Sequence, residues 1–445
     1  MFWPIHLDET YRFIIATKTI SLLMGDAIYQ NGHEIDGINY FGIIPFPDLK
    51  LNGLTYFFLI ADENARGNAK AATITILIDE NKKSFFYEYI KYLRVIIDKT
   101  ATKIQNTKFT DEYKKIMDDF REELFDFCKD LKDPFSQQRK LKIIYIGLDK
   151  AGKTSFLLAI KKRYSEIIKA LPTKGVKRSD EKIFDEQNSQ ITIWDLGGQK
   201  KYREKYLEQS KFYLYNVDLL FYLIDVQDSK ERIYESLNLF NKIIESLIEL
   251  DEHPPIVVCL NKYDPDLENS EKIKKNIEFI TSEINTNSDK FFVKIFRTSI
   301  FNQWSLIFAY SYGLSQLSPN RELFINQLKF FAEKTNSDAL LLLNENGIIL
   351  SKYSKEEVPR KVFEISAPHF QTLYKTFKEF KLLKNDFIIS SGINKTKNVI
   401  FKKIKVDKYN LYLLIFLDEF LGIDKIENSL PDFSKNLVEL IYTYI

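Results

Sequence analysis

The segment GLDKAGKT at residues 147–154 restricts the fold of this 445-residue chain more than any other feature. It satisfies the pattern GxxxxGK[ST], the strand-like run KIIYIG leads into it, and the helix-like run SFLLAIKKRY follows. Glycines in such a loop leave room for phosphate oxygens, which then face backbone N–H groups and a helix N-terminus. The sequence therefore predicts a phosphate-binding loop between a strand and a helix, with a chance strand-to-helix turn as the weaker alternative.

The residues of this loop have distinct expected roles. Lys153 is expected to reach the β- and γ-phosphates of a nucleotide, and the Thr154 hydroxyl to bind Mg²⁺, which prefers oxygen ligands. The residues expected to surround the phosphates are Gly147, Asp149, Lys150, Ala151, Gly152, Lys153, Thr154, Ser155 and Gly198.

A second motif, WDLGGQ at residues 194–199, places Asp195 at the end of a predicted strand, where α/β sheets bind their ligands. We expect Asp195 to hold the Mg²⁺ shell and Gln199 to orient an attacking water. Thr173, in LPTKG, lies between the two motifs and is expected to close on Mg²⁺ and the γ-phosphate. The predicted metal set is Thr154, Thr173 and Asp195, and the predicted catalytic set is Lys153, Thr173 and Gln199. A simple turn at DLGG and a loop role for Thr173 are the alternatives.

The third motif, NKYD at residues 261–264, predicts which base is bound. A carboxylate at Asp264 can accept from the two donors of guanine, Asn261 can contact O6 and N7, and the Lys262 stem can pack along the ring. Adenine lacks that donor pair, so the motif favours GTP and GDP, and an ATPase is a poor third hypothesis. A weaker signal is TSI, in which Thr298, Ser299 and Ile300 are expected to present backbone donors to guanine.

The length predicts about three domains at roughly 100 to 200 residues each. In residues 1–135, the apolar segments FIIATKTISLL, INYFGIIPF, LTYFFLIAD and AATITILID predict antiparallel strands, followed by two helices. Residues 140–318 alternate strands and helices, which predicts a mostly parallel sheet with helices on both faces. Residues 319–445 predict a helix, a hairpin, a helix, three strands and a last helix, and the polar segment at 131–140 suits a linker. The expected fold is thus an α/β domain flanked by two smaller α+β domains.

Composition and termini exclude several classes of protein. A net charge of +2, with basic and acidic residues intermixed, argues against a dedicated nucleic-acid binder. No apolar run reaches the roughly 18 residues of a membrane span, and the start MFWPIHLDE lacks a signal-peptide pattern. No Gly follows Met1 and no Cys lies near the C-terminus, so no lipid anchor is expected. We therefore expect a cytoplasmic protein without a direct membrane anchor, which reaches membrane surfaces only through partners.

These motifs resemble the Ras-superfamily GTPases, in two branches. GLDKAGKT, PTKG and WDLGGQ are similar to the Arf family, whose loop reads GLDxAGKT and whose second switch begins WDxGGQ. FRTSIFNQW, followed by a further α/β domain, resembles the Rag GTPases, which carry an FRTSI segment and then a roadblock-type domain. There are two departures: an α+β domain stands where Arf proteins have an amphipathic helix, and NKYD replaces the HKxD common in Rag proteins. The N-terminal domain is expected to be longin-like or roadblock-like.

The resemblance implies a GTPase molecular switch in trafficking or nutrient-type signalling, with GTP or GDP and Mg²⁺ as ligands. Its expected partners are a second copy, another GTPase or a roadblock or longin protein, besides an activator and an exchange factor of unknown identity. Arg178 is the nearest candidate for an arginine finger, but a solvated loop role is favoured, so intrinsic turnover is expected to be slow, on the order of 10⁻⁴ to 10⁻² per second. The alternative function is a nucleotide-binding scaffold that assembles through its flanking domains.

Overall fold

The computed structural model describes residues 8–24, 40–62, 65, 68–82, 84–107, 112–130, 140–184, 191–355, 360–381, 387–393, 397–418 and 423–444. The linker predicted at 131–140 lies outside these ranges except for its last residue. The domain boundaries predicted from the sequence stay predictions.

The N-terminal part is a helix, a three-stranded antiparallel sheet in the order β1-β2-β3, and two further helices. Its elements are α1 (Glu9–Met24), β1 (Tyr40–Phe46), β2 (Leu51–Ala61), β3 (Ala69–Asp79), α2 (Ser84–Gln105) and α3 (Glu112–Asp130).

The strand predicted at FIIATKTISLL is wrong, because these residues belong to α1. The buried residues Ile15 and Thr19 are four apart, the spacing of one helix face, and the Thr19 hydroxyl donates to the Ile15 carbonyl at 2.6 Å. A β-branched apolar run fits either a strand or a buried helix, so its composition alone misled the prediction.

The central part is a six-stranded sheet in the order β5-β6-β4-β7-β8-β9, parallel except for the β5–β6 pair. Its strands are β4 (Leu141–Ile146), β5 (Val176–Glu181), β6 (Ile191–Leu196), β7 (Leu219–Asp225), β8 (Ile256–Asn261) and β9 (Val293–Thr298). Its helices are α4 (Lys153–Ile160), α5 (Tyr164–Ile167), α6 (Lys200–Glu208), α7 (Ser210–Tyr213), α8 (Lys230–Glu249), α9 (Glu271–Asn287) and α10 (Gln303–Leu317). The prediction of a mostly parallel sheet is confirmed.

Helices cover both faces of this sheet, as predicted. One apolar cluster joins alternate sheet residues to α8 and α9, and the other joins the opposite face to α4 and α10. The central strand β7 is buried along its whole length, which explains its uninterrupted apolar sequence. Strand β5 was not predicted, because its sequence VKRSDE is polar and half exposed at the sheet edge.

The C-terminal part contains a five-stranded antiparallel sheet in the order β11-β10-β14-β13-β12. Its elements are α11 (Arg321–Thr335), β10 (Ser337–Leu343), β11 (Ile349–Ser354), α12 (Arg360–Glu379), β12 (Phe387–Ile393), β13 (Lys397–Val406), β14 (Tyr409–Asp418) and α13 (Ile423–Tyr442). This is the order of elements that the sequence predicts.

A buried asparagine joins the N-terminal sheet to the C-terminal part. Asn320 has no exposed surface, and its side chain accepts from the Ile43 N–H while donating to the Ile43 carbonyl at 2.8 Å. The same amide donates to the Thr443 hydroxyl at 2.6 Å. These bonds satisfy the N–H and carbonyl of Ile43 on the outer edge of β1, where an edge strand otherwise leaves such groups unpaired.

A second junction joins the residues after β5 to the C-terminal part. Phe184 is 1% exposed and lies between the rings of Tyr409 and Tyr444, with centroid distances of 5.0 and 6.1 Å. The Ile183 carbonyl accepts from the Asn344 side chain at 2.5 Å. The hairpin edge of the central sheet is therefore anchored in another part of the chain.

Candidate functional site

The site lies where the carboxyl ends of the parallel strands meet. In the sheet register, Asn261 at the end of β8 stands between Asp225 of β7 and Thr298 of β9. Parallel strands place their carboxyl ends at one edge, so motifs far apart in the sequence come together there.

Two glycines of the GLDKAGKT loop are required by close approach. Gly147 has φ +150°, and a Cβ there would collide with the Leu223 carbonyl oxygen. Gly152 has φ +89° and precedes α4, and a Cβ there would collide with the Asn261 side chain. That same Asn261 amide donates to the Ala151 carbonyl at 2.8 Å, so the loop is tied to the NKYD segment.

Lys153 is buried under this loop. Its ammonium group donates to the carbonyls of Gly147 and Leu148 at 3.0 and 2.7 Å. Burial lowers its pKa to about 8, and the nearby charges of Asp195 and Asp149 counteract this in part. The ammonium group therefore lies at the floor of the loop, where an anion would add an attractive interaction.

The three residues predicted to hold Mg²⁺ converge. The Thr154 hydroxyl donates to Asp195 Oδ2 at 2.6 Å and lies 2.9 Å from the Thr173 hydroxyl, which also donates to that carboxylate oxygen at 3.2 Å. Asp195 is 3% exposed, and its Oδ1 is buried without a hydrogen-bond partner in the part of the chain that is described. Burial raises the pKa of Asp195, while the Thr154 hydrogen bond and the Lys153 charge lower it.

The WDLGGQ segment folds back onto the phosphate-binding loop. The Gly198 carbonyl accepts from the Asp149 N–H at 3.0 Å, and a Cβ on Gly198 would collide with the backbone of Leu148 and Asp149. Gln199 occupies the N-cap position of α6 with an extended backbone. Gly198 is therefore required for this approach, which brings Gln199 to the site.

A cavity of about 610 Å³ opens between these segments. Its size lies within the range of roughly 300 to 1,000 Å³ typical of small-molecule sites. It is lined by Asp149, Lys150, Gly152, Lys153, Thr154, Ser155, Ala170, Leu171, Pro172, Thr173, Gly198, Gln199 and Lys262.

The NKYD side chains are held by neighbours. Asp264 accepts from the Ser299 hydroxyl at 2.5 Å and from the Gln227 amide at 3.0 Å, so both of its oxygens are oriented. Lys262 pairs with Asp225 at 2.5 Å. The TSI segment contacts the NKYD side chains through the Ser299 hydroxyl and through Thr298, whose buried hydroxyl donates to the Asn261 side chain at 3.0 Å. The backbone contacts to guanine expected of Thr298, Ser299 and Ile300 stay a prediction.

Sequence reasoning missed two residues that support the site. Gln227 donates to the Lys262 carbonyl and to Asp264, at 2.8 and 3.0 Å. Arg232, from α8, donates to the Asp149 carbonyl at 2.9 Å and to its carboxylate at 3.3 Å. Neither lies in a motif, and the only local signal is the i,i+4 pair of Arg232 with Asp228.

Arg232 binds Asp149 and Asp228, and two further arginines near the site also have partners in the protein. The Arg178 guanidinium lies 3.9 Å from the centre of the Trp194 ring, and Arg203 of α6 pairs with Glu235 at 2.6 Å. This placement agrees with the favoured interpretation that Arg178 does not act as an arginine finger.

Fold and site together define a small GTPase. The conserved region of the Gtr1/RagA G proteins matches residues 142–369, just over half of the chain. The chain belongs to the Gtr1/RagA family of G proteins. A family of this kind implies binding of GTP or GDP and GTPase activity in general.

Arf-like proteins are also similar. ADP-ribosylation factor-like protein 14 of Mus musculus is 32% identical over 133 residues, which is 30% of this chain and 63% of that protein. ADP-ribosylation factor-like protein 3 of Saccharomyces cerevisiae is 31% identical over 145 residues, or 32% of this chain and 69% of that protein. Both resemblances predicted from the motifs, Arf-like and Rag-like, are confirmed.

Among solved structures, the Arl6 BBS3 small GTPase of Trypanosoma brucei is similar over 40% of this chain and 97% of its own, with 20% identity and a TM-score of 0.32. In the described part of the chain, no helix combines the length and apolar character that crossing a bilayer requires.

Proposed function

We propose that the protein is a molecular switch that binds GTP and GDP with Mg²⁺ and hydrolyses GTP slowly. The observation that carries the proposal is the convergence of Thr154, Thr173 and Asp195 beside Lys153, at a cavity that Gln199 and Lys262 also line. These residues come from separate motifs, and each has the chemistry that its part of a nucleotide requires.

The residues fit Mg²⁺. The site offers two hydroxyls and a carboxylate, all hard oxygen ligands, and Asp195 Oδ1 is buried without a partner among the described residues. A buried carboxylate oxygen with an unused lone pair is costly unless something binds it. Thr154, Thr173 and Asp195 would hold the ion, which would neutralise charge on the phosphates.

The chain's own groups explain how hydrolysis would proceed. Lys153 and the backbone N–H groups of the loop would stabilise the negative charge that develops on the phosphoryl oxygens. Gln199, at the cavity wall, would hold a water in line with the bond that breaks. Arg178 and Arg203 are engaged elsewhere, and Arg232 pairs with Asp149 and Asp228. All three arginines near the site are therefore held by other partners, which supports slow intrinsic turnover.

The test is single-turnover hydrolysis by the full chain with Mg²⁺, with GTP and ATP run side by side. We expect slow turnover of GTP and at least about a hundredfold weaker binding of ATP. Gln199→Leu should retain GTP binding and lower hydrolysis at least about tenfold, because it removes the group that orients water.

The matched control is Gln209→Leu, the same change at an exposed position outside the cavity. It should leave hydrolysis unchanged. Equal rates in the Gln199 and Gln209 variants would refute the role of Gln199, and tight GTP binding without turnover would favour the scaffold over the switch.

Base selection has its own test in Asp264→Asn. The change puts an amide N–H₂ where two guanine donors need acceptors, and it disturbs the bonds from Ser299 and Gln227. Two charge-assisted hydrogen bonds are each worth about 1.5 to 3 kcal/mol, so GTP affinity should fall at least about a hundredfold. Asp266→Asn, two residues on and exposed, is the control. Unchanged affinity in both variants would remove Asp264 from base recognition.

We further propose that the flanking domains, roadblock-like after residue 319 and longin-like or roadblock-like before residue 135, mediate pairing with a second copy, another GTPase or a roadblock or longin protein. Supporting this, each flanking part contains an antiparallel sheet with helices. A role in trafficking or nutrient-type signalling, in the cytoplasm and at membranes through partners, belongs to the same proposal. Sedimentation of the purified chain tests self-pairing, and a monomer at all concentrations would leave only hetero-pairing.

A further inference from the structure

A second cavity, of about 360 Å³, lies between the central and C-terminal parts. Its walls come from β9 and α10 on one side and from α11 and β11 on the other. Both β9 and β11 are edge strands of their sheets. It shares no lining residue with the nucleotide cavity, so it is a separate site.

One wall of this cavity is aromatic. Phe296 packs against Phe308 and Tyr312, with ring centroids 5.6 and 5.1 Å apart, and all three rings are only partly buried. Such a surface suits a flat apolar body, because aromatic rings gain from stacked and edge-on contact beyond the area they bury.

The cavity is also positively charged. Among the residues that the structure describes, its lining contains three cations, Lys294, Arg321 and Lys352, and no carboxylate. Lys352 lies 4.2 Å from the centre of the Phe308 ring, and Arg321 donates to Gln316 at 3.2 Å, so two of the cations are held in place beside the cavity. Charges of one sign in a concave site concentrate their field on an anion.

The hydroxyl of one lining residue, Ser351, has no hydrogen bond to any described part of the chain. Ser351 is 7% exposed, and its hydroxyl is buried without a partner among the residues that the structure describes. A buried hydroxyl without a partner costs about 1 to 3 kcal/mol, so a ligand acceptor that reached it would recover part of this cost.

We propose that this cavity is a binding site for a small organic anion, with an aromatic body on Phe296, Phe308 and Tyr312 and a phosphate or carboxylate head facing Lys294, Arg321 and Lys352. The site is distinct from the nucleotide site and its occupancy would bear on how the central and C-terminal parts meet, because its ligand would contact both.

The test is a ligand-observed NMR titration of the full chain with three probes: phenyl phosphate, benzoate and uncharged phenol. Phenyl phosphate or benzoate should bind with a dissociation constant on the order of 1 mM, as expected for so small a ligand, and phenol at least about tenfold more weakly. The double variant Lys294→Gln/Lys352→Gln should weaken binding of the anion at least about tenfold. The exposed Lys290→Gln, which does not line the cavity, is the matched control.

The variant Lys153→Ala distinguishes binding at this cavity from binding at the phosphate-binding loop. It should leave the affinity of the cavity for the probes unchanged. The proposal is overturned if neither anion binds at about 10 mM, a concentration that would detect any useful affinity. It is also overturned if phenol binds as well as the anions, if the double variant matches Lys290→Gln, or if binding disappears in Lys153→Ala.

Discussion

Replacing Phe184 by alanine measures how firmly the hairpin edge of the central sheet is anchored in the C-terminal part. The Phe184 ring is 1% exposed between Tyr409 and Tyr444. A phenylalanine buries on the order of 200 Å². At about 25 cal/mol per Å² this is an upper value near 5 kcal/mol, and Phe→Ala changes in cores cost about 3 to 5 kcal/mol. We therefore expect the free energy of unfolding to fall by about 3 to 5 kcal/mol.

The assay is guanidinium unfolding followed by circular dichroism and by tryptophan fluorescence, because the free energy is defined only where the two transitions coincide. Phe380→Ala makes the same change at a side chain that is 69% exposed, and should cost less than about 0.5 kcal/mol. Equal losses in the two variants would refute the anchoring role of Phe184.

The same variant has a second readout that rests on the proposed function. Phe184 follows β5, and β5 begins three residues after Thr173, which contacts Asp195. Loss of the anchor should loosen the Thr173 segment and speed GDP release in the presence of Mg²⁺. Unchanged release together with the expected loss of stability would show that the junction is structural only.

Two further predictions concern buried polar groups. Asn320→Ala leaves the buried Ile43 N–H without its acceptor, and it removes the amide that donates to the Ile43 carbonyl and the Thr443 hydroxyl, which still bond each other at 3.3 Å. The change should therefore cost about 2 to 5 kcal/mol by denaturant unfolding. A cost no greater than that of the exposed control Asn287→Ala would contradict the junction. Tyr145→Phe removes a fully buried hydroxyl that has no partner in the described residues while keeping the ring stacked on Phe221, so it should stabilise the protein by about 1 kcal/mol. A loss of stability instead would indicate that an internal water satisfies this hydroxyl.

The parts of the site that could be predicted are those whose geometry is local. Gly147 and Gly152 must be glycine because of the loop they form. Asp195 and Asn261 lie at the carboxyl ends of β6 and β8, two strands that their apolar sequences mark. Short motifs at the carboxyl ends of parallel strands meet at one edge of the sheet. The convergence of GLDKAGKT, WDLGGQ and NKYD could therefore be predicted from the expected topology.

The parts that could not be predicted depend on distant contacts. Arg232 reaches Asp149 across 83 positions, and Asn320 reaches Ile43 across 277, and nothing near either residue in the sequence reveals its partner. Strand β5 is polar like a loop because it lies at the edge of the sheet, where it pairs only with β6. Helix α1 has the composition of a strand because the residues of its buried face are β-branched. In each case tertiary contacts decided the conformation against the local signal.

The junctions at Asn320 and at Phe184 differ in how they are connected to the nucleotide cavity. Asn320 binds the edge of β1 through bonds that involve no residue of the nucleotide cavity, so the N-terminal sheet stays attached to the C-terminal part whichever nucleotide is bound. Phe184 instead lies on the hairpin that begins beside Thr173, which lines the cavity. A nucleotide that displaces Thr173 must therefore either strain the Phe184 anchor or carry the C-terminal part with it. Because the N-terminal sheet is held to that part by Asn320, the two flanking parts would then respond together.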